Sequence, residues 1–320
     1  MWANYPEIKD ELILVEESIS ESVKSKNKLL EEAVGSLVRA GGKRLRPAFV
    51  ILASKFGRYN RRKIIPVASA VEILHTATLV HDDVIDRTKL RRGKITVSEK
   101  FGVDMAVYTG DFLYTKAVLM LSGNLPVDKL ALVAKGIKMI CEGEVDQYQD
   151  KYNINISVFT YLKRIIRKTA VLFSAACSLG ADISGCSNRV SRKLSRFGLY
   201  YGIAFQIKDD IDNFVQLKDV LGKPVGNDIA EGVVTLPAIM GIRKKDSIRK
   251  SLYEFMNKKG NVTIEELNNI TEMIKDSGGI DESISLLNRY IERGLKVLGE
   301  LPHSKYRKVF ENIITDLKMS

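Results

Sequence analysis

Val71-Glu72-Ile73-Leu74-His75-Thr76-Ala77-Thr78-Leu79-Val80-His81-Asp82-Asp83-Val84-Ile85-Asp86 is the stretch that decides the fold. An apolar run with helical spacing leads straight into three carboxylates. On a helix, Asp82 and Asp86 are one turn apart and share a face. A second cluster, Asp209-Asp210-Ile211-Asp212-Asn213, closes another apolar helical stretch. An ionised Asp facing a helical core needs a partner that offsets its desolvation. Asp209 shares a face with Asp212 and Asn213, and Gln206, three residues earlier, lies on it too. Two such faces opposed across a cavity make an all-oxygen site for a hard divalent cation, Mg²⁺ first among them. Mg²⁺ held by a few carboxylates usually has phosphates as its other ligands. The pattern therefore predicts metal-assisted chemistry on a phosphate or diphosphate.

Working outward, nearly every periodic segment has helical spacing. Helices are expected over 8–33, 45–57, 64–87, 101–121, 126–149, 157–179 and 188–214. Five more follow, over 232–243, 245–257, 264–276, 280–298 and 303–317. Thr263 and Glu266 have the spacing of a capping box. The spacing contains no alternating strand run with a hairpin turn. The segments 64–87, 157–179 and 188–214 are apolar nearly all round, which marks central helices of a bundle. The reading is one all-α domain over 1–320, with a more polar helical part from about residue 240.

Composition narrows the function. The 320 residues are 45% apolar, enough for a large core. Cys141, Cys177 and Cys186 lack any CxxC or His spacing, which argues against zinc and a disulfide framework and for the cytoplasm. The sequence has no signal-peptide pattern and no uninterrupted apolar run long enough to span a bilayer. The net charge of +11 is dispersed and lacks interleaved aromatics, so a nucleic-acid partner is not expected. Anionic substrates explain the charge as well.

Several basic groups punctuate the helices. Gly41-Gly42-Lys43-Arg44-Leu45-Arg46-Pro47 offers a backbone that can approach a ligand, flanked by cations, yet lacks P-loop spacing. His75 reads either as a satisfied core histidine or as a ligand contact two turns below the carboxylates. Arg91 and Arg92 can each grip a diphosphate in a fork, or balance charge in a loop. Lys168, Thr169, Gln206 and Lys223 are each weak alone. The ensemble suits a substrate with a diphosphate head and an apolar tail.

These runs together resemble the trans-polyprenyl diphosphate synthases. The resemblance covers nearly the whole chain in the family's order. It joins the Gly41–Pro47 run, His81–Asp86, Arg91-Arg92-Gly93, Gly110-Asp111-Phe112-Leu113, Glu142-Gly143-Glu144, Lys168-Thr169, Phe205–Asp210 and Gly222-Lys223-Pro224. Tyr108-Thr109-Gly110-Asp111 and Asp150-Lys151-Tyr152-Asn153 look most like the catalytic component of bacterial heptaprenyl diphosphate synthases.

The resemblance implies an all-α isoprenoid synthase fold, a helical bundle around a central cavity. It implies three Mg²⁺ ions, with Asp82, Asp83 and Asp86 in the first motif and Asp209 and Asp210 in the second. Lys43, Arg46, His75 and Arg92 match the isopentenyl diphosphate site. Arg91, Lys168, Gln206 and Lys223 match contacts to the allylic diphosphate, with Thr169 near the reacting carbon; Lys168, Thr169 and Arg91 are the catalytic candidates. A homodimer is implied, with a heteromer containing a small regulatory subunit as the alternative, and transient membrane contact at product release. Asn213 departs from the family's usual Asp; Asp212 is expected to share the face of Asp209.

Chain length becomes a packing question. One helical turn rises about 5.4 Å, roughly one extended isoprene unit. A tail running from Asp82 toward the helix N-terminus meets the small Ala77 and Thr78 first, then Leu74 and Val71. The expected product is longer than C20, about C30–C40 on that rise per turn. The rival readings are a class I terpene cyclase, a catalytic subunit inactive without its partner, and a purely structural helical bundle. The second Asp-rich motif and the paired cations argue against the first, and two buried acidic clusters against the last.

Overall fold

The computed structural model describes residues 1–38, 41–91, 93–215 and 225–319. Its contacts divide the chain into two compact units. The first holds Met1–Ala134, Leu172–Ser195 and Leu301–Arg307; the second holds Lys135–Val171, Arg196–Glu300 and Lys308–Ser320.

In the first unit, α1 (Pro6–Ser22), α2 (Lys28–Val38), α3 (Leu45–Ser54) and α4 (Arg61–Ile85) lead to α5 (Val97–Phe101) and α6 (Val103–Ser122). The helix expected over 8–33 is two helices. The break at Asn27 has a local cause: its side-chain carbonyl accepts from the N–H groups of Leu29 and Leu30, both at 3.1 Å, and starts α2 afresh. α4 begins the same way, with Asn60 accepting from Arg62 N–H at 3.1 Å. It packs against α1, α3 and α6. By length and composition α4 is long and apolar enough to cross a membrane, although Glu72 and His75 interrupt its apolar run; 67% of its apolar window is buried, as in a core helix. A second departure follows α4. Leu90–Arg91 and Lys94–Ile95 pair antiparallel, a hairpin too short to leave a period-2 signal.

α7 (Val127–Gln149) is followed by α8 (Val158–Ile165), a π-helical turn (Ile166–Ala170) and α9 (Val171–Ile183). The single helix expected over 157–179 is thus interrupted by the rarer i→i+5 pattern, often found at functional positions. α10 (Asn188–Val215), α11 (Asn227–Ala230), α12 (Leu236–Lys244), α13 (Asp246–Asn257), α14 (Ile264–Lys275), α15 (Gly279–Gly299) and α16 (Lys305–Thr315) complete the described helices. The expected capping box opens α14: Glu266 N–H donates to Thr263 Oγ1 at 3.2 Å, and Thr263 N–H to Glu266 Oε2 at 3.0 Å. In the second unit α12 packs on α15, and α13 on α14.

Candidate active site

At the C-terminal end of α4, the helix sorts its carboxylates by face. Asp86 N–H donates to the Asp82 carbonyl at 2.8 Å, which fixes the two residues one turn apart. Both are half-buried. Asp83, a hundred degrees round the helix, is buried. Its carboxylate accepts from Arg91 Nε at 2.7 Å, and its backbone carbonyl from Thr88 N–H at 2.9 Å. Asp83 thereby ties the hairpin carrying Arg91 back to the helix. Arg87, at the bend, has φ 50°, an uncommon conformation for a residue with a side chain.

The basic candidates of this unit divide. His75 and Arg91 line one cavity of about 70 Å³, together with Arg44, Glu72, Leu79 and Lys94. Arg44 is held in ion pairs by Glu16 and by Glu72, the latter at 2.9 Å. Lys43 is exposed, and its carbonyl accepts from the Trp2 indole N–H at 2.6 Å. The Arg46 guanidinium lies 4.6 Å from the centroid of the Phe173 ring. Lys43 and Arg46 are not among the residues lining that cavity. Arg92 lies outside the described residues, as does Lys223.

Of the tail-length candidates, Val71, Leu74 and Ala77 are buried in α4 and Thr78 is half-buried. Thr78 donates its hydroxyl to the His75 carbonyl at 2.8 Å. Gly110 of α6 explains part of the fit: a Cβ there would stand 2.2 Å from His81 Nε2. His81 in turn reaches Asp111 at 3.3 Å.

The second unit builds its candidates around the π-helical turn. Lys168 Nζ pairs with Glu144 at 2.9 Å, and Arg167 with Asp146 at 2.8 Å. Gly143 lets α7 approach so closely: a Cβ there would be 2.7 Å from Arg167 Cβ and 3.2 Å from the Lys168 backbone nitrogen. Thr169 donates to Gln206 Oε1 at 2.8 Å, and Gln206 Nε2 donates to Asp210 Oδ1 at 2.9 Å. The other Asp210 oxygen accepts from the Tyr161 hydroxyl at 2.6 Å. Burial pushes the Asp210 carboxyl up to about 6, while the bonds from Tyr161 and Gln206 pull it down. Asp209, its neighbour, is exposed.

Two details of this cluster add to the reading of the sequence. Gln206 bonds to Asp210, one turn on. Asp212 is engaged on its own helix: its two oxygens accept from Lys208, at 2.7 and 2.9 Å. The Asn213 side-chain oxygen is buried with no hydrogen-bond partner among the described residues. Sequence reasoning gave Glu144 no role, although the run Glu142-Gly143-Glu144 drew attention to it. It missed Tyr161 altogether, and nothing in the chain marks a residue 49 positions from its partner.

Among the described residues, no three His, Cys, Asp or Glu side chains converge into a ready-made metal cage. Mg²⁺ needs no such cage, since it takes one or two protein carboxylates and completes its shell with water and substrate phosphates. Asp82 with Asp86, and the exposed Asp209, are hard oxygen donors of that kind.

The comparisons with known proteins agree with this chemistry. A family model described as polyprenyl synthetase matches residues 27–274. Heptaprenyl diphosphate synthase component 2 of Bacillus subtilis (strain 168) is 38% identical over 303 residues, 95% of this chain and 86% of the relative. The crystal structure of heptaprenyl diphosphate synthase from Staphylococcus aureus superposes with a TM-score of 0.93 at 35% identity, covering 97% of each chain. A polyprenyl synthase from Caulobacter crescentus CB15, complexed with calcium and isoprenyl diphosphate, gives 0.92 at 31% identity, over 97% of this chain and 94% of that one. An all-α prenyl-transferring enzyme is the class that fold and site define. The chain belongs to the polyprenyl synthetase family and has its isoprenoid synthase fold.

Proposed function

We propose that this prenyltransferase condenses isopentenyl diphosphate head-to-tail with an allylic diphosphate and releases an all-trans product of about C30–C40, a length reasoned from helical rise. The observation that carries this reading is the sorting of carboxylates at the end of α4: Asp82 and Asp86 on one face, and a buried Asp83 holding Arg91 at 2.7 Å.

Asp82 and Asp86, and Asp209, would hold Mg²⁺, three ions in all, with Asp83 and Asp210 bracing them. Bound Mg²⁺ supplies the positive charge that makes the allylic diphosphate a leaving group. Arg91, Lys168 and Lys223 stabilise the charge that grows on the departing diphosphate. The carbon–oxygen bond breaks and its electron pair leaves with the diphosphate. Lys43, Arg46, His75 and Arg92 hold isopentenyl diphosphate, whose double bond supplies the pair for the new carbon–carbon bond. A proton is then lost to the departed diphosphate, and a new double bond forms. Apolar walls keep water from the allylic cation. Ala77 and Thr78 leave room for the growing tail; Leu74 and Val71 lie further along it.

The reading extends to assembly and location. Tyr108 and Leu119 fall on one stripe of α6, about 20° apart round the helix, and are 62% and 60% exposed; Val103 and Val107, farther round, are 57% and 37% exposed. That stripe supports a homodimer or a small partner subunit, and the word "component" in the Bacillus relative's name favours testing the second. Three free cysteines support a cytoplasmic protein acting as one domain over 1–320, touching a membrane when it releases product.

The test is incubation of the purified chain with farnesyl diphosphate, labelled isopentenyl diphosphate and Mg²⁺, with product lengths read after dephosphorylation. A ladder ending at one discrete length supports a self-sufficient synthase. Absence of elongation both from the chain alone and from Asn213→Asp points to a required partner.

A further inference from the structure

We infer that Tyr161 is a positioning residue, which acts through Asp210 and Gln206 to hold the Thr169 hydroxyl with its oxygen lone pairs outward. The inference rests on the proposed reaction and on the family resemblance, which puts Thr169 near the reacting carbon.

The argument is one of hydrogen-bond polarity. A carboxylate has only acceptors to offer. Asp210 is buried, and both of its oxygens are engaged: Oδ2 by the Tyr161 hydroxyl at 2.6 Å, and Oδ1 by Gln206 at 2.9 Å. Gln206 must therefore turn its NH₂ group toward Asp210, which settles an amide orientation that is otherwise ambiguous. Its carbonyl then points the other way, and Thr169 Oγ1 lies 2.8 Å from it. A carbonyl can only accept, so the Thr169 hydroxyl proton goes to Gln206. What Thr169 has left is its pair of acceptor sites, and among the described residues no donor reaches that oxygen.

Every donor in the chain thus points toward Asp210. The result is an oxygen of fixed orientation with its negative end directed away from the network. Such an oxygen favours an adjacent developing cation and offers it no proton. A freely rotating hydroxyl would spend part of its time with the wrong end forward, and preorganised dipoles are worth more than ones that must reorient.

Tyr161 is the far end of the device. It is fully buried, on α8, one element before the π-helical turn that carries Thr169. By fixing Asp210 Oδ2 it leaves Oδ1 to face Gln206. Nearby, Arg164 is also buried; it donates to the Val234 carbonyl at 2.7 Å, its guanidinium lies 5.7 Å from the centroid of the Tyr161 ring, and its charge favours the Asp210 carboxylate without bonding to it. The close approach of Gly143 to the Lys168 backbone, 3.2 Å from where a Cβ would be, holds the turn itself.

Tyr161→Phe removes one hydroxyl and keeps the ring. The expected result is a fall in kcat of about tenfold, in line with losing one charge-assisted hydrogen bond, with KM for both diphosphates within twofold of the parent. The discriminating measurement is a double-variant cycle with Thr169→Val. If Tyr161 acts through Thr169, then Tyr161→Phe has no further effect on kcat in the Thr169→Val background. An unchanged kcat in Tyr161→Phe, or effects that multiply in the double variant, overturns the proposal. Should Tyr161→Phe fail to fold, Gln206→Met cuts the same chain one link further on, and an unchanged kcat there overturns it equally. Parent enzyme separates the two levels: absence of elongation together with absence of Mg²⁺-dependent binding of an allylic thiolodiphosphate sinks the reading of the reaction, whereas elongation with an indifferent Tyr161 sinks this inference alone.

Discussion

The ends of α4 and α10 carry the same sequence device, a pair of adjacent aspartates, and solve its electrostatics in different ways. In both, the second aspartate faces inward. Asp83 meets a cation, Arg91, whose side chain is 36% exposed. Among the described residues Asp210 accepts hydrogen bonds from neutral donors, the Tyr161 hydroxyl and the Gln206 amide, and the buried Arg164 acts on it through charge without a hydrogen bond. A cationic partner on a short hairpin makes the first end a clasp that can carry a ligand-binding arginine. Neutral partners on helices make the second end a rigid, buried scaffold, with its carboxyl pushed up to about 6 by burial. The lesson is that a repeated motif fixes which residues point outward, while the neighbours decide what the inward residue does.

The comparison can be broken most forcefully at the outward residues. Asp82→Ala should lower kcat by about 10³-fold, the scale of losing a charge-stabilising group, with the protein still folded by circular dichroism. A loss of tenfold or less in steady-state elongation would remove Asp82 from the chemistry. The next largest effect separates the inward residues. Asp83→Asn leaves Arg91 without its anionic partner and should cost about 1.5–3 kcal/mol in denaturant unfolding. Asp210→Asn removes a buried charge and keeps one of its two acceptors, and the Tyr161 hydroxyl can turn to accept from the new amide, so it should cost about 1 kcal/mol, less than Asp83→Asn. Equal costs would erase the distinction drawn between clasp and scaffold.

The two glycines extend the same contrast. A Cβ at Gly143 meets the Lys168 backbone nitrogen at 3.2 Å as well as Arg167 Cβ, whereas one at Gly110 meets only the imidazole of His81. Backbone cannot step aside as a side chain can. Gly143→Ala should therefore destabilise by about 1–3 kcal/mol, the usual cost of overpacking, and Gly110→Ala by less. Thermal melts of the two variants check the order. The smallest effect on rate should come with a qualitative change in product. Ala77→Phe or Thr78→Phe on α4 should shorten the prenyl product by at least one isoprene unit, since one turn spans roughly that length. Substitutions at the α10 end should change rate and leave length alone. Unchanged length in both α4 variants would mean that the tail runs elsewhere.

Much of this was legible in the sequence because helical periodicity is a strong signal over long elements. The lengths of α6 and α7 and the capping box at Thr263 follow from spacing and punctuation alone. The division of each aspartate pair did not, since α4 and α10 are apolar nearly all round and only packing reveals which face is inner. The break before α2 depended on one side chain, Asn27, and the hairpin at Leu90 was too short to have a period. The π-helical turn has no compositional mark. Asp212 illustrates the remaining limit: spacing placed it beside Asp209, but Lys208, four residues earlier, takes its carboxylate.

The most direct test of the division between outward and inward aspartates is Mg²⁺-dependent binding of a non-hydrolysable allylic thiolodiphosphate, followed by calorimetry. Asp82→Asn and Asp209→Asn should each lose the Mg²⁺-dependent part of the affinity. Asp83→Asn and Asp210→Asn should retain it within a few-fold. Loss of that dependence in the Asp83 or Asp210 variant, with Asp82→Asn and Asp209→Asn indifferent, would contradict the account.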